Sequence, residues 1–286
     1  MKVRFSGIYV EIGNICNLRC SFCSGTKREG RVMSAAEFAE VAEKIKGYTD
    51  KVYLHVLGEP LCHPELAAIL DVCRQSGIKA SVTTNGTLLS SRGYTLLERA
   101  DAVHRVSISL HSFEANSGYS RSLSEYVGAA MDFADAAAER GIYSVFRLWN
   151  MDSDAGEGKN EFNSHIIALL RERYHGEWAK RYTGYRIARN IFLEFAGLFD
   201  WPRDSTAAPV TDGYCHALSS QIAILADGSV VPCCLDCDGD MTLGNIFVSS
   251  LADVLSTERA ERMKRGFEQR KFTESLCQRC TYARKF

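Results

Sequence analysis

Residues 16–23 read Cys16-Asn17-Leu18-Arg19-Cys20-Ser21-Phe22-Cys23, a C-x3-C-x2-C segment that directly follows a short apolar run. Three thiolates on one loop can turn toward a single soft metal centre, since sulfur ligands prefer iron–sulfur clusters, zinc or Cu(I) over hard cations. On a four-iron cluster, three ligands leave one iron without a protein ligand, and a small molecule can bind there. The spacing therefore favours chemistry at a cluster. When this segment is considered alone, the alternatives are an incomplete zinc site and a chance cluster of cysteines.

Length and composition exclude several classes of protein. A chain of 286 residues fits one large domain, or one domain with a small appendage, and 46% apolar residues suffice for a buried core. A net charge of −1 gives no reason to expect nucleic acid or an acidic membrane surface as a partner. The N-terminal residues contain no apolar stretch long enough for a signal peptide or a membrane span. We therefore expect a cytoplasmic protein.

The eleven cysteines are grouped along the chain. A disulfide framework is typical of small secreted domains, so metal ligation accounts better for so many cysteines in a cytoplasmic chain. Besides the N-terminal segment, the groups are Cys215, Cys233, Cys234 and Cys237, and then Cys277 and Cys280.

Apolar runs and helical segments alternate over the first two thirds of the sequence. The predicted strands are 8–13, 51–57, 78–84, 103–110, 142–148 and 191–195, and the predicted helices are 34–46, 65–76, 88–99, 122–140 and 163–174. Ser34 and Glu37 form a capping-box pattern at the first helix. Residues 151–160 are expected to be a polar loop, and 175–190 match no element clearly. Regular alternation of this kind predicts βα units around a parallel sheet.

The pattern changes after a polar segment at 203–211. Apolar runs at 221–226 and 229–232 flank Asp227-Gly228, which predicts a β-hairpin. Because Cys215 precedes this hairpin and Cys233 ends it, the two thiols can approach each other. A further helix over 250–267 leads to Cys277 and Cys280, so four cysteines can form a second site, for which zinc is an alternative to iron–sulfur.

These residues together resemble the radical S-adenosylmethionine (SAM) enzymes of the SPASM or Twitch branch. Phe22 occupies the aromatic position of the family motif C-x3-C-x-aromatic-C, and Gly58-Glu59-Pro60 matches the family's Gly-Glu-Pro motif. Cys215, Gly228 and Cys233 match the C-x(9–15)-G-x4-C element of the C-terminal region. The resemblance implies a partial (β/α)6 TIM-like barrel over 1–205 and a small auxiliary-cluster region over 206–286.

The resemblance also implies cofactors and the residues that hold them. Cys16, Cys20 and Cys23 would bind the 4Fe-4S cluster that binds SAM, and Cys215, Cys233, Cys277 and Cys280 would bind a second 4Fe-4S cluster. The residues expected to contact SAM are Phe22, Gly58, Glu59, Pro60, Asn85, Ser109 and Arg121. An electron donor such as flavodoxin or ferredoxin is the expected partner.

The implied activity is reductive cleavage of SAM to a 5′-deoxyadenosyl radical that abstracts a substrate hydrogen. We expect a peptide substrate that is epimerised, cross-linked or oxidised. The alternatives are dehydrogenation of a small alcohol or aminosugar, and a non-catalytic iron–sulfur or zinc-binding interaction protein. Cys234 is a candidate hydrogen donor to a substrate radical, while Arg147 and Glu194 are candidates for substrate binding or a rim salt bridge. We expect His55, His63, His111 and His216 to be packed or solvent-exposed.

Overall fold

The computed structural model describes residues 4–116, 120–151, 161–198 and 200–285. Within these ranges eleven strands form one sheet. The strands are β1 (Gly7–Val10), β2 (Lys51–Tyr53), β3 (Lys79–Thr84), β4 (Val103–Ser109), β5 (Tyr143–Met151), β6 (Ala179–Arg181), β7 (Gly184–Ala188), β8 (Ile191–Gly197), β9 (Gln221–Ile224), β10 (Ser229–Val231) and β11 (Gly244–Asn245).

The strand order gives the sheet its architecture. From one edge to the other it runs β11-β10-β9-β1-β2-β3-β4-β5-β8-β7-β6. Six strands, β1 to β5 and β8, are parallel neighbours at the centre. This arrangement confirms the predicted α/β class and the partial, open (β/α)6 barrel.

The described residues form nine α-helices, and all except the last bury apolar side chains. They are α1 (Ala35–Ile45), α2 (Leu66–Gln75), α3 (Leu89–Arg92), α4 (Tyr94–Leu97), α5 (Leu123–Glu139), α6 (Glu161–Arg173), α7 (Leu251–Leu255), α8 (Glu258–Glu268) and α9 (Ser275–Gln278). The predicted capping box of α1 is confirmed, because Ser34 and Glu37 accept each other's backbone N–H groups. No described helix combines the length and the apolar character needed to cross a bilayer.

Several segments differ from the expectation or had none. The strand predicted over 51–57 ends at Tyr53. The helix expected over 88–99 is divided at Gly93, where a Cβ would come within 2.5 Å of the Leu89 carbonyl oxygen and 2.9 Å of the Phe133 ring. The helix expected over 250–267 is divided because Thr257 caps a new helix, α8. Residues 175–190 contain the antiparallel pair β6 and β7. The polar loop expected over 151–160 lies outside the described residues except for Met151, which ends β5.

The C-terminal hairpin is part of the barrel sheet. β9 and β10 pair antiparallel, as predicted, and β9 also pairs parallel with β1, with Gly7 opposite Gln221 and Val10 opposite Ile224. The division into a barrel over 1–205 and a cluster region over 206–286 stays a prediction.

Glu11 joins the segments that meet at the carboxyl end of β1. Its side chain is fully buried and accepts hydrogen bonds from the Leu57 and Ala226 backbone N–H groups at 3.3 and 3.1 Å. The Arg28 guanidinium lies 2.7 Å from the same carboxylate. Burial raises the pKa of Glu11, and Arg28 with the two N–H groups opposes that rise. The hydrogen bonds tie the segment after β2, the end of β9 and the cysteine-bearing segment to one point.

Replacing Glu11 by Ala should lower the free energy of unfolding by about 3 kcal/mol, because Arg28 is left largely buried without its partner. Denaturant unfolding of the metal-free chain measures this value. Glu40→Ala is the matched control, since it removes an exposed pair with Lys44 that is worth about 0.5 kcal/mol. Equal, small losses in both variants would contradict a central role for Glu11.

Candidate functional site

One cavity of about 1040 Å³ brings the predicted site residues together. All seven predicted cysteine ligands line it: Cys16, Cys20, Cys23, Cys215, Cys233, Cys277 and Cys280. Five of the predicted SAM contacts also line it: Phe22, Gly58, Glu59, Asn85 and Ser109.

Two predicted SAM contacts have other positions. Pro60 is buried and begins a short 3-10 helix, Pro60–Cys62, directly behind the cavity wall. Arg121 is exposed, with its Nη1 atom 3.4 Å from the Ser90 hydroxyl, and is not among the described residues that line the cavity.

Each N-terminal cysteine sulfur accepts an N–H group. The Leu18 backbone donates to Cys16 Sγ at 3.4 Å, and the Gly25 backbone donates to Cys23 Sγ at 3.4 Å. Asn116 Nδ2 lies 3.1 Å from Cys20 Sγ. Such donors stabilise thiolates, which are the form of cysteine that binds metal.

The donor chemistry of these three sulfurs suits an iron–sulfur cluster. In the described ranges no three His, Cys, Asp or Glu side chains are close enough to hold one metal ion. A four-iron cluster binds each thiolate at a different iron, so its ligands surround a volume and need not meet at a point. Burial raises the pKa of Cys16 to about 11, with smaller contributions from Glu59 and Cys20. Loading must therefore displace a proton, as is general for thiolate sites.

The C-terminal region fastens the segment that carries these cysteines, which we call the cysteine loop (residues 16–28). Asp238 accepts hydrogen bonds from the Thr26 hydroxyl at 2.7 Å and the Lys27 backbone at 2.9 Å. Arg203 bonds to Asp238 and to the Ser24 carbonyl. These contacts link the N-terminal cysteines to residues more than 170 positions later in the sequence.

The Gly-Glu-Pro motif closes against the cysteine loop and the end of β3. Gly58 has a φ of 81°, and a Cβ there would lie 2.3 Å from the Gly13 carbonyl oxygen, so only glycine fits without displacement. The buried Glu59 carboxylate accepts from the Asn85 backbone at 2.7 Å and from the Leu61 backbone at 3.0 Å. Burial raises the pKa of Glu59, and these two N–H groups oppose the rise. Two predicted SAM-binding motifs are therefore directly bonded to each other.

Phe22 contacts a buried histidine that follows β4. Its ring lies 4.9 Å from the His111 ring, centroid to centroid. His111 is buried, its Nδ1 atom is 3.1 Å from the Arg147 carbonyl, and burial lowers its pKa to about 4. It is therefore neutral at physiological pH. His55 and His216 also line the cavity, whereas His63 bonds to the Met33 carbonyl at 2.9 Å.

The barrel interior contributes a polar floor, which we define as Tyr9, Tyr53, His55 and Arg147. Tyr9 and Tyr53 stack with ring centroids 4.5 Å apart, and the His55 ring meets Tyr9 edge-on at 5.6 Å. Burial lowers the pKa of His55 to about 3, and its Nδ1 has no hydrogen-bond partner among the described residues. His55 Nδ1 is thus a buried polar atom whose hydrogen-bonding capacity the described residues do not use.

Arg147 gives the polar floor a positive charge. Its guanidinium lies 4.2 Å from the Trp149 ring centroid, and Nη1 is 3.4 Å from the Thr83 hydroxyl. Glu194 is 3.9 Å from Arg147 but lies closer, at 2.8 Å, to Arg105. Two guanidinium groups therefore share one carboxylate, and the net charge of these three side chains is positive.

Only part of this floor was predicted from the sequence. Arg147 was a candidate and His55 was expected to be packed or solvent-exposed, whereas Tyr9 and Tyr53 were not singled out. One signal was available: Tyr53 and His55 are two positions apart, so strand alternation places them on one face. The face of the strand that points into the barrel is the one that the helices do not cover, and the sequence of the strand alone does not identify it.

The C-terminal cysteines lie around the hairpin formed by β9 and β10. Burial raises the pKa of Cys233 and of Cys277, and neighbouring thiols, including Cys215, raise both further. The Ala217 backbone donates to Cys215 Sγ at 3.4 Å. This set of partly buried cysteines has the donor chemistry of a second cluster site.

The two remaining cysteines of this region differ in position. Cys234 lines the cavity together with Tyr9, and burial raises the pKa of Cys234 to about 11. Cys237 is buried outside the described cavity lining, with Sγ 3.7 Å from the Gly25 carbonyl oxygen. Only Cys234 can meet a molecule bound on the polar floor.

Comparison with known families gives two matches. The model of the radical SAM superfamily matches residues 10–155, just over half of the chain. A SPASM model, an iron–sulfur cluster-binding domain, matches residues 215–281. The matched ranges contain both sets of cysteines that line the cavity.

Curated relatives match only in part. A probable GTP 3′,8-cyclase of Methanocella arvoryzae is 34% identical over 114 residues, which are 39% of this chain and 36% of that protein. A 7-carboxy-7-deazaguanine synthase of Aquifex aeolicus is 30% identical over 73 residues, 26% of this chain and 33% of that protein. The aligned part thus spans about a third of each relative.

Solved structures match over nearly the whole chain. BtrN in complex with AdoMet and 2-DOIA aligns with a TM-score of 0.62 at 18% identity, covering 98% of this chain and 94% of BtrN. Streptococcus suis SuiB bound to S-adenosylmethionine aligns at 0.58 and 17%, covering 98% and 71%. The anSMEcpe structure with AdoMet and Cp18Cys peptide aligns at 0.61 and 16%, covering 96% and 86%. At these identities the likeness concerns the fold.

Replacing Asp238 by Ala should loosen the cysteine loop, because the Thr26 hydroxyl, the Lys27 N–H group and Arg203 lose a common acceptor. The rate of hydrogen–deuterium exchange of the amides of residues 24–27 should rise about tenfold. This factor corresponds to a decrease of about 1.4 kcal/mol in the free energy of local opening. Asp240→Ala, an exposed carboxylate on the same loop as Asp238, should leave exchange unchanged. Unchanged exchange in Asp238→Ala would show that these contacts do not hold the loop.

Proposed function

The chain belongs to the radical SAM superfamily, and from this membership we propose that it is an enzyme that cleaves SAM and abstracts a hydrogen atom from a substrate bound on the polar floor. The observation that carries the proposal is the single cavity lined by both cysteine sets and by Gly58, Glu59, Asn85 and Ser109. When bound, the SAM-binding 4Fe-4S cluster supplies the electron that converts SAM to methionine and a 5′-deoxyadenosyl radical.

We assign the protein's own residues as follows. The ligands of the SAM-binding cluster are Cys16, Cys20 and Cys23, and those of the second cluster are Cys215, Cys233, Cys277 and Cys280. Phe22 and the segment Gly58–Pro60 would hold SAM beside the first cluster, with Asn85 and Ser109 at the ends of β3 and β4. Arg121 is exposed and outside the described cavity lining, and its contact with SAM stays a prediction. A one-electron donor of the flavodoxin or ferredoxin type is the proposed partner.

A compact polar substrate fits the polar floor. Arg147 and the Tyr53 hydroxyl can donate hydrogen bonds, whereas the neutral His55 can donate or accept. Hydroxyl and amino groups would satisfy these atoms, and an apolar side chain would leave them unpaired at a cost of about 1–3 kcal/mol each. The likeness to BtrN in complex with AdoMet and 2-DOIA over nearly the full length of both chains supports a substrate of this size.

A peptide substrate is the second candidate. It is the expectation from the sequence, and it is supported by the likeness to SuiB bound to precursor peptide SuiA and to anSMEcpe with Cp18Cys peptide. A peptide would reach the same floor with one polar side chain.

Cys234 is the proposed hydrogen donor where the product keeps the oxidation level of the substrate. Its S–H bond breaks as a new C–H bond forms on the substrate radical, which leaves a sulfur radical on Cys234. One electron from the external donor and one proton then restore the thiol.

Anaerobically reconstituted protein should hold about eight irons, and with dithionite it should form 5′-deoxyadenosine from SAM. Cys16→Ala and Cys277→Ala should each lower iron to about four, because each removes a ligand of a different cluster. Cys16→Ala alone should abolish 5′-deoxyadenosine even in protein that retains iron. The absence of 5′-deoxyadenosine from the wild-type protein would exclude the proposed activity.

Cys234→Ala should keep about eight irons and form 5′-deoxyadenosine, yet give no product with a hydrogen restored from solvent. The measurement is deuterium uptake from D2O into any compound that stimulates 5′-deoxyadenosine formation. Cys237→Ala is the matched control, since that thiol lies outside the described lining. Equal deuterium uptake in Cys234→Ala and wild type would dismiss Cys234 as the donor.

A further inference from the structure

The segment after β4 holds the cysteine loop through two backbone N–H groups of the loop. The Ser21 N–H group donates to the Ala115 carbonyl at 3.3 Å, and the Arg19 N–H group donates to Asn116 Oδ1 at 3.0 Å. Both bonds flank Cys20 in the sequence. The loop is therefore fixed relative to this segment at the point where its middle cysteine lies.

The orientation of the Asn116 amide follows from its neighbours. Its oxygen must face the Arg19 N–H group, which can only donate, and its nitrogen must face the Ser112 carbonyl at 2.6 Å, which can only accept. The nitrogen then also lies 3.1 Å from Cys20 Sγ. If the amide were reversed, its oxygen would face the Ser112 carbonyl and its nitrogen would face the Arg19 N–H group. The surrounding bonds therefore determine the N–H···S contact.

This contact distinguishes Cys20 from the other two N-terminal cysteines. Cys16 and Cys23 accept backbone N–H groups at 3.4 Å, and Asn85 Nδ2 lies 3.8 Å from Cys16 Sγ. The donor to Cys20 is closer and belongs to a side chain. A side chain can be replaced, so its effect on the sulfur can be measured separately from the backbone.

We propose that Asn116 is a positioning residue that raises the reduction potential of the SAM-binding cluster by donating a hydrogen bond to the Cys20 thiolate. Reduction adds negative charge to a cluster, and an N–H group directed at a ligand sulfur stabilises the reduced form more than the oxidised form. Asn116 thereby affects how readily an external one-electron donor can reduce the site. The inference rests on the proposed function, because it requires that Cys20 binds that cluster.

The test is a redox titration followed by electron paramagnetic resonance on the anaerobically reconstituted full chain. The cluster in question is the one whose signal changes when SAM is added. At a fixed potential, Asn116→Ala should lower the ratio of reduced to oxidised cluster about fivefold. This is the factor expected for the loss of one hydrogen bond. Asn116→Asp, which keeps an acceptor for Arg19 but adds negative charge, should lower it further. Iron content should match that of the wild type.

Asn150→Ala is the matched control. Asn150 donates to Glu114 on the same segment and to Asn163, so this variant removes an amide network without removing an N–H···S contact. Its titration curve should coincide with that of the wild type.

Three outcomes are distinguishable. Unchanged potentials in Asn116→Ala and Asn116→Asp, with iron retained, would overturn the inference. Loss of the cluster iron in both variants would make Asn116 only an anchor of the loop, which also overturns it. A wild-type protein with no SAM-responsive signal would refute the proposed function itself.

Discussion

The buried carboxylate of Glu11 is the constraint on which the rest of the site depends. A carboxylate removed from water must be surrounded by donors, and those of Glu11 come from three distant parts of the chain: Arg28, Leu57 and Ala226. Arg28 belongs to the cysteine loop, Leu57 precedes the Gly-Glu-Pro motif, and Ala226 follows β9. The walls of the cavity are thus correctly placed only when all three segments have assembled.

The pairing of β9 with β1 explains why both cysteine sets share one cavity. Strands in a sheet lie about 4.8 Å apart, so the hairpin that precedes Cys233 is held close to the strand that precedes Cys16. Asp238 and Arg203 add a second connection between the same regions. The relative position of the two cysteine sets is therefore determined by the sheet and by side-chain contacts together.

The polar floor gives the cavity an electrostatic character that an apolar barrel interior would lack. Arg147 is largely desolvated and stacked on Trp149, and burial lowers its pKa to about 10, so it remains charged at neutral pH. His55 remains neutral because charging it in this position would require burying a second cation. Reactive radicals require a site that orients the substrate, and a floor with fixed donors can provide that orientation.

Features that depend on neighbouring residues were predictable from the sequence. The C-x3-C-x2-C spacing, the βα alternation and the capping box at Ser34 are local patterns, since ligand spacing, side-chain period and N–H capping act within a few residues. The break at Gly93, the pairing of β9 with β1, the polar floor and the contact of Asn116 with Cys20 were decided by the tertiary structure. Each of these features requires contact between two segments that are distant in sequence. Which strand pairs with an edge, and which group bonds to a buried amide, depends on which surfaces pack together.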